Sequence, residues 1–356
     1  MHLRPYRTSI ILAITFTLVL STFWFLPQLA FIIFISMLLQ LLLSPLVERL
    51  VPHLSRALAS ALVLLSFVLL LIGAAFLISS SFIPTFTQFI AEFPRISADL
   101  QASVAMQDSP MLAGELDNLW GELQEISVEA LKSSLSILPA VFGRVIDLVI
   151  IFFVTFYLLK DGEAIKSWIA SLFPSRDYTR VIALFDRILL ALRTYICSQL
   201  VICCITGTVV FLYFTLRGLP YGSVFAVASG IAEFIPVLGP TVASIFGTLL
   251  TATTGIWFAI QTACFYLVLT QINHNIVYPT LIGRSLNLHP VAIILGIILG
   301  GEVLGPAGMF LAVPFIVICK LVIEDIYRDR QQLRKNVHMS RWLNKKLASE
   351  HERQKS

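Results

Sequence analysis

Between Thr194 and Cys319 the chain carries only six ionisable side chains other than tyrosine and cysteine: Arg217, Glu233, His274, Arg284, His289 and Glu302. Two of these are carboxylates set in aliphatic sequence. Glu302 lies between the apolar runs Ile293–Leu299 and Met309–Val313. A charge there is costly unless it faces protein or water, which makes it the first candidate for chemistry within a membrane. Glu233 carries the same argument in weaker form, because it can also cap the helix arm beside a break. The amides Gln199, Gln271, Asn273 and Asn275 sit in the same third of the chain. Such groups bind a neutral hydroxylated solute or coordinate a cation, and they equally serve as glue between helices. Two breaks, Pro236 with Gly239-Pro240 and Gly305-Pro306, would free backbone carbonyls and N–H groups as further ligands.

Other chemistries find no support. No nucleophile–base pair, HExxH or GxGxxG can be named, so neither an enzyme nor a cofactor is expected. The five cysteines (Cys197, Cys203, Cys204, Cys264, Cys319) lie within apolar blocks without CxxC spacing and read as packing residues. His274 and His289 lack a second ligand at helical spacing, so no metal site is expected; His289-Pro290 reads as a helix start.

The elements that hold these residues follow from composition. Hydrophobic residues make up 57% of the 356-residue chain and charged residues 13%, against roughly 45–50% and about 25% in soluble domains. The apolar residues fall in blocks long enough to cross a hydrocarbon core of roughly 30 Å as helix. The fold class is therefore all-α, a polytopic bundle of about 6–8 transmembrane helices. The net charge of +4 does not indicate nucleic acid, because the basic residues cluster at block ends and in the tail. That is the positive-inside pattern, which places both termini on the cytoplasmic side.

Read in order, residues 1–83 form three hydrophobic helices: Ser9–Leu26, Leu29–Val47 and about Ala57–Phe82. The first is preceded by His2, Arg4 and Arg7 but lacks a small-x-small cleavage site, so it reads as a retained helix. Residues 84–140 carry eight acidic and two basic side chains, with Leu112, Leu116, Leu119, Leu123 and Ile126 at helical spacing. They read as amphipathic helices on the extracytoplasmic side. Residues 141–192 hold a crossing, Val145–Leu159, and an interfacial helix over Trp168–Leu192. Residues 326–356 are a basic cytoplasmic tail.

Residues 193–325 are the expected transport core. A helix, a broken hairpin, a helix and a second broken hairpin follow one another, with arms of about 12–18 residues that are marginal for a full crossing. Two topologies fit, four further full crossings or two re-entrant hairpins, and the short arms favour the re-entrant form. Gln199 and Gln271 mark the two helices, and Glu233 and Glu302 each precede a Gly-Pro pair. Starting on opposite sides, the two units form an inverted repeat, the arrangement that places a transport site at broken helices.

At these residues the sequence resembles the autoinducer-2 exporter family, the PerM-type permeases. The matching features are Phe156-Tyr157-Leu158-Leu159-Lys160-Asp161-Gly162, Arg193-x-Tyr195 with Gln199, and Ile235-Pro236-Val237-Leu238-Gly239-Pro240. The most specific run joins Gln271, Asn275, Pro279, Gly283, Leu288-His289-Pro290 and Gly300-Gly301 to Gly305-x-x-Gly308 and Pro314. The resemblance implies a bacterial cytoplasmic-membrane permease that forms a homo-oligomer, such as a pentamer. It further implies a small-molecule or ion substrate, either export of an autoinducer-2-like signal or cation/proton-coupled antiport. The competing reading is a membrane scaffold that recruits envelope partners through residues 84–140.

Overall fold

A computed structural model describes residues 7–74, 145–236, 238–282 and 288–328, with isolated positions 76, 80, 84, 88 and 331. The expectations for residues 89–140 and for most of the basic tail lie outside the described residues. Among the described residues every regular element is helical.

Proline and glycine set the punctuation. Helix α1 (Arg7–Phe25) gives way at Leu26 to α2 (Pro27–Leu50), which places a proline at its first position, where the missing N–H costs nothing. Helix α3 (Arg56–Ala74) follows a short turn. Helix α4 (Val145–Ser171) and helix α5 (Tyr178–Leu216) are separated by Pro174 and a single 3-10 turn over Ser175–Asp177. Helices α6 (Gly222–Ala232) and α7 (Leu238–Thr254) flank the first Gly-Pro break. Helix α8 (Ile256–Ile272) continues through a π turn, Asn273–Val277, into Tyr278–Ile282. Helices α9 (Pro290–Leu304) and α10 (Pro306–Arg328) flank the second break. His289 caps α9, its Nδ1 accepting from the Val291 N–H at 3.3 Å, as a helix start at His289-Pro290 requires.

Five of these helices are long and apolar enough to cross a membrane: α2, α3, α5, α8 with its extension to Leu281, and α10. Helices α6, α7 and α9 are shorter and also apolar. Large aliphatic and aromatic side chains such as Leu69, Leu70, Ile146, Phe153, Leu267 and Leu299 lie exposed on the chain. Water would not tolerate so much apolar surface, whereas lipid is its natural solvent. The molecule is a polytopic helical membrane protein.

Three expectations change in detail. The crossing read as Val145–Leu159 runs on as helix to Ser171. The separate interfacial helix over Trp168–Leu192 does not exist as such: its second half is the start of the 39-residue α5, which passes through the expected boundary at 192/193 without a break. The physical reason is that no glycine or proline interrupts residues 178–206 in the way Pro174 does upstream. The first glycine, Gly207, is held inside the helix by packing. The arms of the second break are unequal, 15 residues in α9 and 23 in α10, so α10 exceeds the expected arm length.

The chain divides into two compact units. One comprises Leu38–Lys160 and Thr194–Leu286. Its larger core packs Val210 and Phe214 of α5 against Phe225 of α6, Leu250 of α7, and Tyr266 and Leu269 of α8. A second cluster joins Leu43 and Val47 of α2, Ala59 and Val63 of α3, and Leu159 of α4. Arg56 Nε donates to the Leu159 carbonyl at 3.1 Å. The other unit comprises Met1–Met37, Asp161–Arg193 and Asn287–Ser356. Leu12, Ala170, Phe173, Val181, Leu184 and Val322 form its core. Its polar edge is an ion-pair group: Arg180 donates from Nε and a terminal nitrogen to Asp325 Oδ2 at 3.0 and 2.7 Å, and Lys166 pairs with Glu163 and Asp186 at 2.6 and 2.9 Å.

Candidate functional site

The site grows out of a close helix crossing. Gly207 of α5 and Gly230 of α6 meet with almost no space between them. A Cβ on Gly230 would lie 3.0 Å from the Cys203 carbonyl oxygen, and one on Gly207 would lie 3.1 Å from the Ala226 oxygen. Small residues let apolar helices approach this closely in a membrane. Glu233, three residues beyond Gly230 at the end of α6, is thereby carried against the face of α5 that holds Thr206.

The chain then turns sharply. Backbone bonds Phe234 N–H to Ile231 O (3.1 Å), Ile235 N–H to Ala232 O (3.0 Å) and Gly239 N–H to Ile235 O (3.0 Å) stitch the break. A Cβ on Gly239 would overlap the Ala232 carbonyl oxygen, so that position accepts no side chain. Pro236 ends one arm and Pro240 sits in the first turn of α7.

Glu233 is 3% exposed, buried although it carries a carboxyl group. Its Oε1 accepts from Thr206 Oγ1 at 3.0 Å and from Asn273 Nδ2 at 2.9 Å. Its Oε2 accepts from the Tyr278 hydroxyl at 3.5 Å. Its backbone carbonyl accepts from Gln199 Nε2 at 2.7 Å. Asn273 Nδ2 also donates to Thr206 Oγ1 at 2.9 Å. The π turn makes this convergence possible. Five residues apart, Asn273 and Tyr278 would diverge by about 140° on an α-helix; the wider turn swings both toward Glu233. Such turns recur at functional sites.

Every hydrogen-bond partner of the carboxylate is a neutral side chain. Three oxygens of the same cluster are buried without a hydrogen-bond partner: Tyr195 Oη, Gln199 Oε1 and Asn273 Oδ1. Burying unsatisfied polar atoms beside a carboxylate is expensive, and packing alone gives no reason to keep them.

The sequence candidates thus separate. Glu233, Gln199 and Asn273 come together. Gln271 and Asn275 lie on an exposed face of α8 and bond each other, Asn275 Nδ2 to Gln271 Oε1 at 2.9 Å. Glu302 stands in the last turn of α9, exposed on the surface of its own unit. The bend beside it depends on Gly305, whose φ of 61° and ψ of −143° suit glycine alone, and Pro306 opens α10. Thr206, Tyr278 and Tyr195 were not among the candidates. For Tyr195 and Thr206 a signal existed, since they lie four residues before and seven after Gln199 on the same helix face. For Tyr278 there was none, because a π turn leaves no mark in the residue pattern.

A groove of about 510 Å³ lies between α7 and α8. Thr241, Ser244, Thr248, Thr270, Gln271 and His274 supply its polar lining, and no Asp, Glu, Lys or Arg lines it. It adjoins the Glu233 cluster: Tyr266 lines it while bonding Ser229 of α6 at 3.1 Å, and His274 stacks on Tyr278.

A helical membrane bundle with a broken helix, a buried carboxylate and an adjoining polar groove is an arrangement that a permease can use. The AI-2E family transporter profile matches residues 12–328, and the chain belongs to that family. It is similar to "Putative transport protein YueF" of Bacillus subtilis, 28% identical over 92% of this chain and 94% of that one. A match to "Putative transport protein YrrI" of the same organism is 32% identical and covers 51% of each chain. "Putative permease PerM" of Escherichia coli K12 is 27% identical over 76% of this chain and 79% of its own length.

Proposed function

We propose that this permease moves a small solute across the bacterial cytoplasmic membrane by cation- or proton-coupled exchange, with Glu233 as the group that takes up the ion. The observation that carries the reading is the buried Glu233 carboxylate beside three partnerless oxygens. A carboxylate in a membrane core keeps its charge only when paired, and here the pairing groups are neutral. Exchanging a proton or small cation at this point is the simplest chemistry the set performs. Gln199 and Asn273 offer amide oxygens, Thr206 and Tyr278 hydroxyls. Pro236, Gly239 and Pro240 fix the turn that holds Glu233 in place.

The α7–α8 groove is the solute's place in this reading. Its hydroxyl and amide lining without fixed charge suits an uncharged, hydroxyl-bearing molecule, the chemistry of an autoinducer-2-like furanone. Gln271 lines that groove and is bonded by Asn275, while Glu302, Gly305 and Pro306 belong to the second break. The basic block ends support cytoplasmic termini, and the family resemblance supports a homo-oligomer such as a pentamer.

Purified protein in sealed vesicles tests the reading. A sodium or proton gradient should drive counter-movement of the other ion or of labelled furanone, and Glu233→Gln should abolish the coupling. Furanone flux that is indifferent to both gradients and to Glu233→Gln would leave a facilitative exporter instead.

A further inference from the structure

Helices α5 and α8 are joined by polar contacts along almost their whole shared length. At one end Arg217 donates to Gln261 Oε1 and lies over the Phe258 ring. Next, the Tyr213 and Thr262 hydroxyls pair at 3.1 Å. One turn on, the Tyr266 hydroxyl pairs with Ser229 of α6 at 3.1 Å. One turn beyond Ser229 stands Glu233 with Thr206 and Asn273. On the far side Gln199 bonds the Glu233 carbonyl, and Ser198 Oγ donates to the Leu281 carbonyl at 3.1 Å. Arg217 and Ser198 are separated by about 29 Å of helix, close to the thickness of the hydrocarbon core.

The two sides of Glu233 differ in chemistry. Toward Arg217 the contacts are hydroxyl pairs in which either oxygen can be the donor. Such a pair accepts a proton on one side, releases one on the other, and resets by rotation. Toward Ser198, Ser198 and Gln199 bond main-chain carbonyls, which accept a hydrogen bond but have no proton to hand on, and the Tyr278 hydroxyl donates to Glu233 Oε2. One turn from Gln199, the buried Tyr195 hydroxyl has no hydrogen-bond partner, so no chain continues through it. Thr262, Tyr266, Ser229, Thr206 and Glu233 are buried and Tyr213 is half-buried, so lipid does not reach the inner rungs. The other titratable groups facing Glu233 are Cys203 of α5, and His274 and Tyr278 of the α8 extension.

We propose that the hydroxyl ladder Tyr213–Thr262 and Tyr266–Ser229 is a proton path that loads Glu233 from the Arg217–Gln261 end. A proton arriving at the outermost pair displaces one from it. Each hydroxyl passes on the proton it held and keeps the one it received, and the last reaches a Glu233 carboxylate oxygen. Successive rungs lie one helical turn apart, about 5–6 Å between Cβ atoms, and a bridging water at each step completes the path. This route rests on the reading of Glu233 as the ion-carrying group.

Infrared spectroscopy of the full chain in lipid bilayers tests it without knowledge of the solute. The carboxylic C=O band removed by Glu233→Gln belongs to Glu233, and its shift on transfer to D2O reports how fast the proton exchanges. Tyr266→Phe and Ser229→Ala are expected to slow that exchange by about tenfold or more, and Ser198→Ala to leave it unchanged. Phenylalanine keeps the ring that packs on Gly247; Thr262→Val interrupts the next rung independently. Equal rates in all variants, or slowing by Ser198→Ala alone, would overturn the route. A Glu233 band absent at every pH would instead overturn the assignment of Glu233 as proton carrier.

Discussion

At the first break a glutamate, a turn and a Gly-Pro pair fold inward; at the second, the same marks face out. Glu233 is buried under Thr206, Asn273 and Tyr278, whereas Glu302 is exposed beyond the aliphatic face of α9. The glycines differ as well. Gly239 is needed because another chain segment occupies the space of a side chain, and Gly305 because its backbone dihedrals exclude one. The tight packing at the second break lies further on, where a Cβ on Gly300 would collide with the Gly308 carbonyl oxygen. Matching residues at matching positions therefore do not make matching sites. What decides is whether a neighbouring helix offers donors to the carboxylate, and among the described residues only the first break has such a neighbour in its own unit.

Substitutions at the two breaks sharpen this contrast. Gly239→Ala should have the largest effect, since the methyl group would sit inside a carbonyl oxygen. A loss above about 4 kcal/mol is expected, seen as a collapse of folded yield and of the thermal midpoint in detergent. Asn273→Ala removes a donor from a buried carboxylate and should cost about 1.5–3 kcal/mol in the same assay. Gly305→Ala has open space around it and bears only the dihedral penalty, about 1–3 kcal/mol. Glu302→Gln should stay within about 0.5 kcal/mol of wild type, as exposed substitutions do. Gly305→Ala proving as damaging as Gly239→Ala, or Glu302→Gln as damaging as Asn273→Ala, would dissolve the distinction.

Much of the scaffold could be read before any coordinates. Long apolar blocks marked α1, α2 and α3 to within a few residues at most ends, and proline marked both breaks and the start of α9. The continuity of α5 was hidden because Arg180 and Arg187 make its first turns look like a surface helix. These arginines instead serve an ion-pair group, with Arg180 on Asp325 across 145 residues of sequence and Arg187 within 3.9 Å of both Glu324 and Asp325. The site was half legible. A carboxylate in aliphatic sequence announces itself, but the side on which it is buried does not. In a membrane helix apolar residues occupy both the packed and the lipid face, so no periodicity separates them. Glu302 came ahead of Glu233 because Glu233 can also cap the arm beside its break, and Tyr278, an ordinary hydroxyl residue, gave no signal at all.

The most direct test compares the two glutamates in one assay. Wild type, Glu233→Gln and Glu302→Gln are reconstituted in vesicles, and gradient-driven proton and sodium movement is followed alongside furanone flux. Glu233→Gln should lower coupled flux by about tenfold or more while Glu302→Gln remains within about twofold of wild type. Coupled flux that survives Glu233→Gln and disappears with Glu302→Gln would remove Glu233 as the ion-carrying group.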